Sequence, residues 1–222
     1  AGGVVVHSKA IVVTTGVAYR MPPAAALHAY RGEGVFKGAP PPEAAACRNE
    51  VVFTVGGGNS PGRGGFYLPT SARHVYILLR RDNLADTMSS YLIDQINGID
   101  NITVEPFREV VGATGEGHLE MLEIKNAESG EVELRPAQAL FIFVGAKPMT
   151  DWLPDAVLKD ERGFVLTGRD LALHPAFAAQ WKRPREPYLL ETSVPGIFAA
   201  GDVRAGAMNR VASAVGEGAM AI

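Results

Sequence analysis

The run Val51–Val55 (VVFTV) enters Gly56-Gly57-Gly58-Asn59-Ser60-Pro61 without a single charged residue. An apolar run of that length needs cover on both faces, which a central strand of a parallel sheet has. A helix is expected from about Pro61 to Ser71, followed by a second apolar strand at Val75–Leu79 (VYILL). Leu84, Met88, Tyr91, Leu92 and Ile96 recur at helical spacing, so a second helix is expected over Leu84–Asn97. Ile102–Glu105 is a third strand. The order β-α-β-α-β requires right-handed crossovers and hence a parallel sheet. Phe107–Arg135 has a different texture. HLEMLEIKN and EVELR alternate around a turn at Glu128-Ser129-Gly130, which predicts a β-meander. Ala139–Val144 (ALFIFV) is a further buried strand, ending at Gly145. The fold class is therefore α/β.

The glycines that follow the first strand have G-x-G spacing at a strand-to-helix junction. In that setting the first glycine permits the tight turn and the second lets backbone approach a pyrophosphate. The pyrophosphate then rests at the positive end of the following helix. This predicts a Rossmann-like dinucleotide domain with Gly56, Gly58, Asn59 and Ser60 at the phosphates. Pro61 removes one N–H from the helix start, and Gly64 and Gly65 weaken that helix by roughly 1 kcal/mol each relative to alanine. About twenty residues beyond such a loop, an acid holds the ribose of NAD. Here Arg80-Arg81 stands in that place. A guanidinium fork pairs with phosphate, so a 2′-phosphate, and hence NADPH, is expected. Asp82 is close enough that a backbone shift would present it instead.

Composition excludes other classes. A net charge of −3 is not that of a general nucleic-acid binder. No apolar run approaches the roughly 18 residues of a membrane span, and AGGVVVHSKA lacks the form of a signal peptide. The chain has one cysteine, Cys47, so it holds no internal disulfide, CxxC pair or multi-cysteine zinc site. A cytoplasmic setting is expected. His7, His28, His74, His118 and His174 show no ligand spacing, so no metal site is expected. Ser60 and Ser213 lack a visible base, and Cys47, Trp181 and Tyr188 read as packing residues. The 25 glycines and 15 prolines gather at 32–42, 56–65, 112–117 and 201–218. Such clusters beside apolar strands mark turns that a ligand approaches closely.

Outside the central unit the pieces are smaller. Lys9–Thr14 (KAIVVT) reads as a strand ending in Thr14-Thr15-Gly16. Phe164–Thr167 reads as a small strand, Ile197–Ala200 as a short strand ending in Gly201-Asp202, and Met208–Ile222 as a helix. The stretch Glu191–Val203 (ETSVPGIFAAGDV) resembles the second flavin-binding motif of flavoproteins with two dinucleotide domains. Thr14-Thr15-Gly16 resembles the ATG strand that precedes their NADPH domain. VVFTVGGGNS and FIFVGAKPMTDWL are similar to the entry and exit of that domain. On these motifs, which span nearly the whole chain, the sequence resembles the thioredoxin reductase-like branch of the pyridine nucleotide-disulfide oxidoreductases.

The resemblance implies an NADPH-binding domain over 34–147, flanked by partial FAD-domain segments at 1–33 and 148–222. It implies FAD contacts from Thr15, Gly16, Gly201, Asp202, Arg210, Val211 and Ala212, and places Gly145 beside NADPH. Asp202 is suited to accept hydrogen bonds from ribitol hydroxyls, and a helix N-terminus with Arg210 would favour a reduced, anionic flavin. The family's CxxC would fall at Gly38-Ala39-Pro40-Pro41, where no sulfur exists. The family's first G-x-G-x-x-G motif has no counterpart here, so the chain reads as a piece of a longer flavoprotein that alone holds FAD weakly. Two functions are compatible. One is NADPH-to-FAD hydride transfer in a homodimer, with an acceptor other than an internal CxxC. The other is a non-catalytic nucleotide-binding or regulatory module.

Overall fold

A computed structural model describes residues 3, 5–38, 41–58 and 68–222. The chain divides into two compact units, one of residues 1–18 with 146–222 and one of residues 19–145. In chain order the strands and helices are β1 (Ile11–Val13), β2 (Val17–Tyr19), β3 (Val35–Lys37), α1 (Pro41–Ala46), β4 (Val51–Val55), β5 (His74–Leu78), α2 (Ser90–Asn97), β6 (Ile102–Glu105), β7 (Arg108–Thr114), β8 (Met121–Asn126), β9 (Val132–Pro136), β10 (Ala139–Ile142), β11 (Ala146–Pro148), α3 (Phe177–Gln180), β12 (Ile197–Ala199) and α4 (Val211–Met220). No described helix is long and apolar enough to cross a membrane.

The larger unit holds a five-stranded sheet in the order β3-β10-β4-β5-β6, with every neighbouring pair parallel. The strand residues alternate between two cores, which is why their sequence reads as continuously apolar. Phe53, Val55, Leu78, Leu140 and Ile142 face one core, shared with Leu119, Leu122 and Ile124 of the meander side. Val52, Val75, Ile77, Ala139 and Phe141 face the other, shared with Leu84, Met88, Leu92 and Ile96. The expected meander is present as the antiparallel sheet β7-β8-β9, with a register shift between Val110 and Gly112. Arg135 joins β9 to the parallel sheet. Its guanidinium donates to both Glu105 oxygens at 2.8 Å and lies 4.0 Å from the Tyr76 ring centroid.

The larger compact unit begins at 19, where Leu27 is fully buried in the meander-side core and Met21 and Tyr30 pack against it. Several expectations are corrected. Helix α2 begins at Ser90, not Leu84. The N–H groups of Thr87 and Met88 both turn back to the Leu84 carbonyl, and Asn83 Oδ1 takes the Ala85 N–H at 2.8 Å. That closed turn lets Leu84 and Met88 share a core with Leu92 and Ile96 without a continuous helix. Of the helix expected over Pro61–Ser71, residues 61–67 lie outside the described residues, and Leu68–Thr70 forms a single 3-10 turn.

In the smaller unit β1 pairs in parallel with β12, over a core of Val13, Leu153, Val157, Val165, Ala199 and Val203. Phe164–Thr167 is not a strand. Val165 makes only isolated bridges to Lys159 and Arg204, because Asp160 Oδ1 draws the Arg162 and Phe164 N–H groups into a turn. The C-terminal helix starts at Val211, since Asn209 has φ +51° and Arg210 is extended.

Candidate functional site

In the larger unit, β5 and β6 lie on one side of β4 and β10 on the other. Chain order reverses between β4 and β10, and their carboxyl ends form the crevice in which open α/β sheets bind ligands. Gly56 leaves β4 there with φ +129°, and a Cβ on it would lie 2.6 Å from the Phe143 carbonyl oxygen. No side chain is tolerated at that crossing without movement of the backbone. Gly57 is nearly as confined, with a Cβ 3.2 Å from Leu79 Cδ2, whereas Gly58 would meet only the Thr87 carbonyl at 4.0 Å. Packing thus requires glycine at 56, confines position 57 by side-chain ends, and leaves 58 opening outward, where a phosphate would approach. Asn59 and Ser60 lie outside the described residues.

Thr87 holds the loop in place. Its hydroxyl donates to the Gly57 carbonyl at 2.6 Å, which occupies that acceptor. Sequence reasoning missed this residue, because nothing in a spacing of thirty positions signals it.

The two arginines after β5 have different surroundings. The Arg108 N–H donates to the Leu79 carbonyl at 2.7 Å and the Phe107 N–H to the Arg81 carbonyl at 3.1 Å. These bonds lock the backbone on either side of Arg80. Arg80 then lines a cavity of about 200 Å³ together with Arg20, Glu109, Val55 and Val144. Arg81 points to Asp86, at 3.8 Å. Gly145, expected beside NADPH, has φ +84°, and its carbonyl accepts the Arg20 N–H at 3.0 Å. A glycine cradle, an outward-facing third glycine and an arginine at the strand ends that is unpaired among the described residues together fit a phosphorylated dinucleotide.

The flavin-side residues belong to the smaller unit. The sequence Glu191–Val203 is held by two carboxylates. Glu191 is fully buried. Its Oε2 accepts Arg185 Nη1 at 2.6 Å and the Tyr188 N–H at 3.0 Å, and its Oε1 accepts Arg185 Nη2 at 2.9 Å and the Gly196 N–H at 3.0 Å. Burial pushes this carboxyl up, but the Arg185 and backbone hydrogen bonds and the Arg185 charge together hold it below the ordinary carboxylate range. Arg185 in turn stacks on Tyr188, 4.1 Å from its centroid, and reaches Trp181 at 5.5 Å.

Glu217 on α4 accepts the Gly201 N–H at 2.7 Å and bonds to Arg204, whose Nε lies 3.2 Å from Oε2. The Arg204 hydrogen bonds lower the Glu217 carboxyl first, against its burial, with the Gly201 N–H and the Arg204 charge assisting. This clamp fixes Gly201, at φ +76°. The next carboxylate, Asp202, is half-buried and has no hydrogen-bond partner among the described residues. A fixed backbone beside a free acceptor fits a ligand rich in hydroxyl groups, as the ribitol of FAD is. Arg210, Val211 and Ala212 are exposed around the start of α4. Thr15 and Gly16 are both tied to Met149. The Thr15 hydroxyl donates to the Met149 carbonyl at 2.8 Å, and the Gly16 carbonyl accepts the Met149 N–H at 3.0 Å.

Cys47 is buried, and its Sγ lies 3.2 Å from the Glu43 carbonyl. Burial, and then the Glu50 charge, push its thiol up. Gly38 and Pro41 frame the place of the family's CxxC, with Ala39 and Pro40 outside the described residues. Among the described residues no three His, Cys, Asp or Glu side chains gather as a metal site.

The family profile of the pyridine nucleotide-disulphide oxidoreductases matches residues 2–218. The chain therefore belongs to that family, and within it the resemblance is to thioredoxin reductases. It is 30% identical over 174 residues to a thioredoxin reductase of Chlamydia pneumoniae, covering 78% of this chain and 50% of that protein. It is 29% identical over 225 residues to the thioredoxin reductase of Listeria innocua, covering 100% of this chain and 63% of that protein. The crystal structure of T. acidophilum thioredoxin reductase superposes with a TM-score of 0.71 at 27% identity, covering 97% of this chain and 64% of that one. The chain thus spans between half and two thirds of the length of these relatives.

Proposed function

We propose that this chain carries the coenzyme-binding unit and the flavin-side motif of an NADPH- and FAD-dependent oxidoreductase of the thioredoxin reductase-like kind. The observation that carries the reading is Arg80, unpaired among the described residues at the carboxyl end of β5 and beside the glycine cradle. Where an NAD site has an acid, this position presents a guanidinium to the ribose 2′-phosphate. When bound, NADPH supplies a hydride that FAD accepts. The residues of the chain bind and orient. Gly56 lets the loop pass close to the end of β10, Gly57 lets it pack against Leu79 and Thr87, Gly58 opens it to the phosphates, and Thr87 binds the Gly57 carbonyl. Asp202 receives ribitol hydroxyls, and the Glu217–Arg204 pair holds its backbone in place.

Disulfide chemistry within this chain is not part of the proposal, because the single Cys47 is buried and its thiol stays protonated at neutral pH. The electron acceptor therefore reacts without a CxxC of this segment. The alternative is a nucleotide-binding module without turnover, which the lack of a CxxC favours. Anaerobic mixing of NADPH with the FAD-loaded full-length protein decides between them. The reading expects the visible flavin band to bleach, faster with NADPH than with NADH. A flavin that stays oxidised under NADPH leaves the module.

A further inference from the structure

We propose that Arg20 is a second cation of the coenzyme pocket and shares the 2′-phosphate with Arg80. The inference rests on the NADPH reading above and adds a residue that lies outside the glycine loop and the β5 end. Three observations carry it.

The first is placement. Arg20 and Arg80 line the same cavity of about 200 Å³, with Val55, Val110 and Val144 as apolar wall. Val55 ends β4, Arg80 follows β5 and Val144 follows β10, so this cavity sits at the carboxyl ends of the three central strands. Its volume is below the roughly 300–1,000 Å³ of sites that enclose a whole small ligand. It suits one end of a dinucleotide, with the remainder running over the glycine loop.

The second is anchoring. Arg20 lies 125 positions from Gly145, yet its N–H is bonded to the Gly145 carbonyl at 3.0 Å. Gly145 takes φ +84° there. The start of the Arg20 side chain is therefore fixed at the cavity rim, and a phosphate contact costs less conformational entropy than one from a free loop.

The third is charge. Neither Arg20 nor Arg80 has an ion-pair or hydrogen-bond partner for its side chain among the described residues. Glu109 is the one acid lining the cavity, and it pairs with neither. Two guanidinium groups on one small, partly apolar cavity repel each other until a dianion lies between them. A phosphomonoester is such a dianion and accepts several N–H bonds at once. A 2′-hydroxyl in the same place accepts far less from the two forks, so the pair acts on coenzyme choice more than on dinucleotide binding as such.

The test is calorimetric titration of the whole chain with 2′,5′-ADP and with 5′-AMP, which differ by the phosphate in question. Wild-type protein is expected to prefer 2′,5′-ADP. Arg20→Ala should lose at least about ten-fold in 2′,5′-ADP affinity, as expected for one charge-assisted contact. Its affinity for 5′-AMP should stay within about two-fold, which also shows that the pocket is folded. Arg20→Lys should recover part of the preference, and Glu109→Gln should tighten 2′,5′-ADP by removing the opposing charge. If Arg20→Ala binds 2′,5′-ADP like wild type while Arg80→Ala does not, the role of Arg20 is overturned and the NADPH reading stands. If wild type binds both nucleotides equally, the NADPH reading falls and this inference falls with it.

Discussion

Replacing Glu191 with Gln should destabilise the smaller unit by an amount that its hydrogen bonds set. The carboxylate is fully buried, with side-chain exposure of 0% against 38% for Arg185. Each of its oxygens accepts one arginine N–H and one backbone N–H. In either amide orientation the NH2 group of Gln faces two donors. One part-buried backbone N–H, of Tyr188 or Gly196, then loses its acceptor, which costs up to about 1–3 kcal/mol. One charge-assisted bond from Arg185 is also lost, but Arg185 is partly exposed and water replaces much of it. The expected loss is about 2–4 kcal/mol, a large share of a typical stability of about 5–15 kcal/mol.

The chain has 2 tryptophans, Trp152 and Trp181, and both lie in this unit. Tryptophan emission during urea unfolding therefore reports it separately from residues 19–145. The midpoint should fall with the slope unchanged. A shift worth less than about 0.5 kcal/mol, the scale of a neutral surface substitution, would refute the claim that Glu191 holds this turn. The pH dependence has a definite sign. The folded carboxyls of Glu191 and Glu217 are lowered, so their contribution is fully present above the ordinary carboxylate range. It is lost as pH falls through that range towards the lowered folded values. Glu191→Gln should therefore flatten the acid side of the stability profile.

Gly56→Ala places a Cβ 2.6 Å from the Phe143 carbonyl at a φ of +129°. It should cost about 1–3 kcal/mol in backbone strain alone, read as a lower thermal midpoint of the larger unit, with weakened NADPH binding. Arg80→Ala should weaken NADPH by roughly 1.5–3 kcal/mol while leaving NADH nearly unchanged, and Arg81→Ala should do less because Arg81 is drawn to Asp86. Equilibrium titration of the two variants with both coenzymes checks the order. Cys47 should react slowly with thiol reagents in the native state at neutral pH, since burial and Glu50 keep the thiol protonated. Rapid, stoichiometric labelling with the fold intact would contradict that. Cys47→Ser should leave flavin reduction by NADPH at the wild-type rate, measured by stopped flow.

Much of the larger unit was legible because its strands advertise burial on both faces. VVFTV, VYILL and ALFIFV have no solvated side, and two cores cover them. The meander was legible for the opposite reason, since half-buried strands alternate. What failed were local competitions. The apolar spacing from Leu84 to Ile96 is real, but the Asn83 side chain and the Leu84 carbonyl close a turn that the spacing does not reveal. Phe164–Thr167 has strand-like residues, yet the Asp160 side chain captures the N–H groups that a ladder would need.

Site residues divide in the same way. Gly56, Gly58, Arg80 and Asp202 stand out in the sequence because each belongs to a local motif, and their roles toward a coenzyme or flavin remain the proposal made above. Thr87, Arg20, Arg185 and Glu217 were not, because each acts on a residue far along the chain and only the folded backbone brings it there. Thr15 and Gly16 carry a motif signal, and their hydrogen bonds to Met149 are a further contact that the motif does not reveal.

The most direct measurement is calorimetric titration of residues 1–222 with NADPH and NADH under identical salt. Arg80, unpaired among the described residues at the carboxyl end of β5 with a glycine cradle beside it, predicts NADPH binding at least about ten-fold tighter than NADH, with the difference shrinking as ionic strength rises. Equal affinities at every salt concentration, or a preference for NADH, would contradict the account.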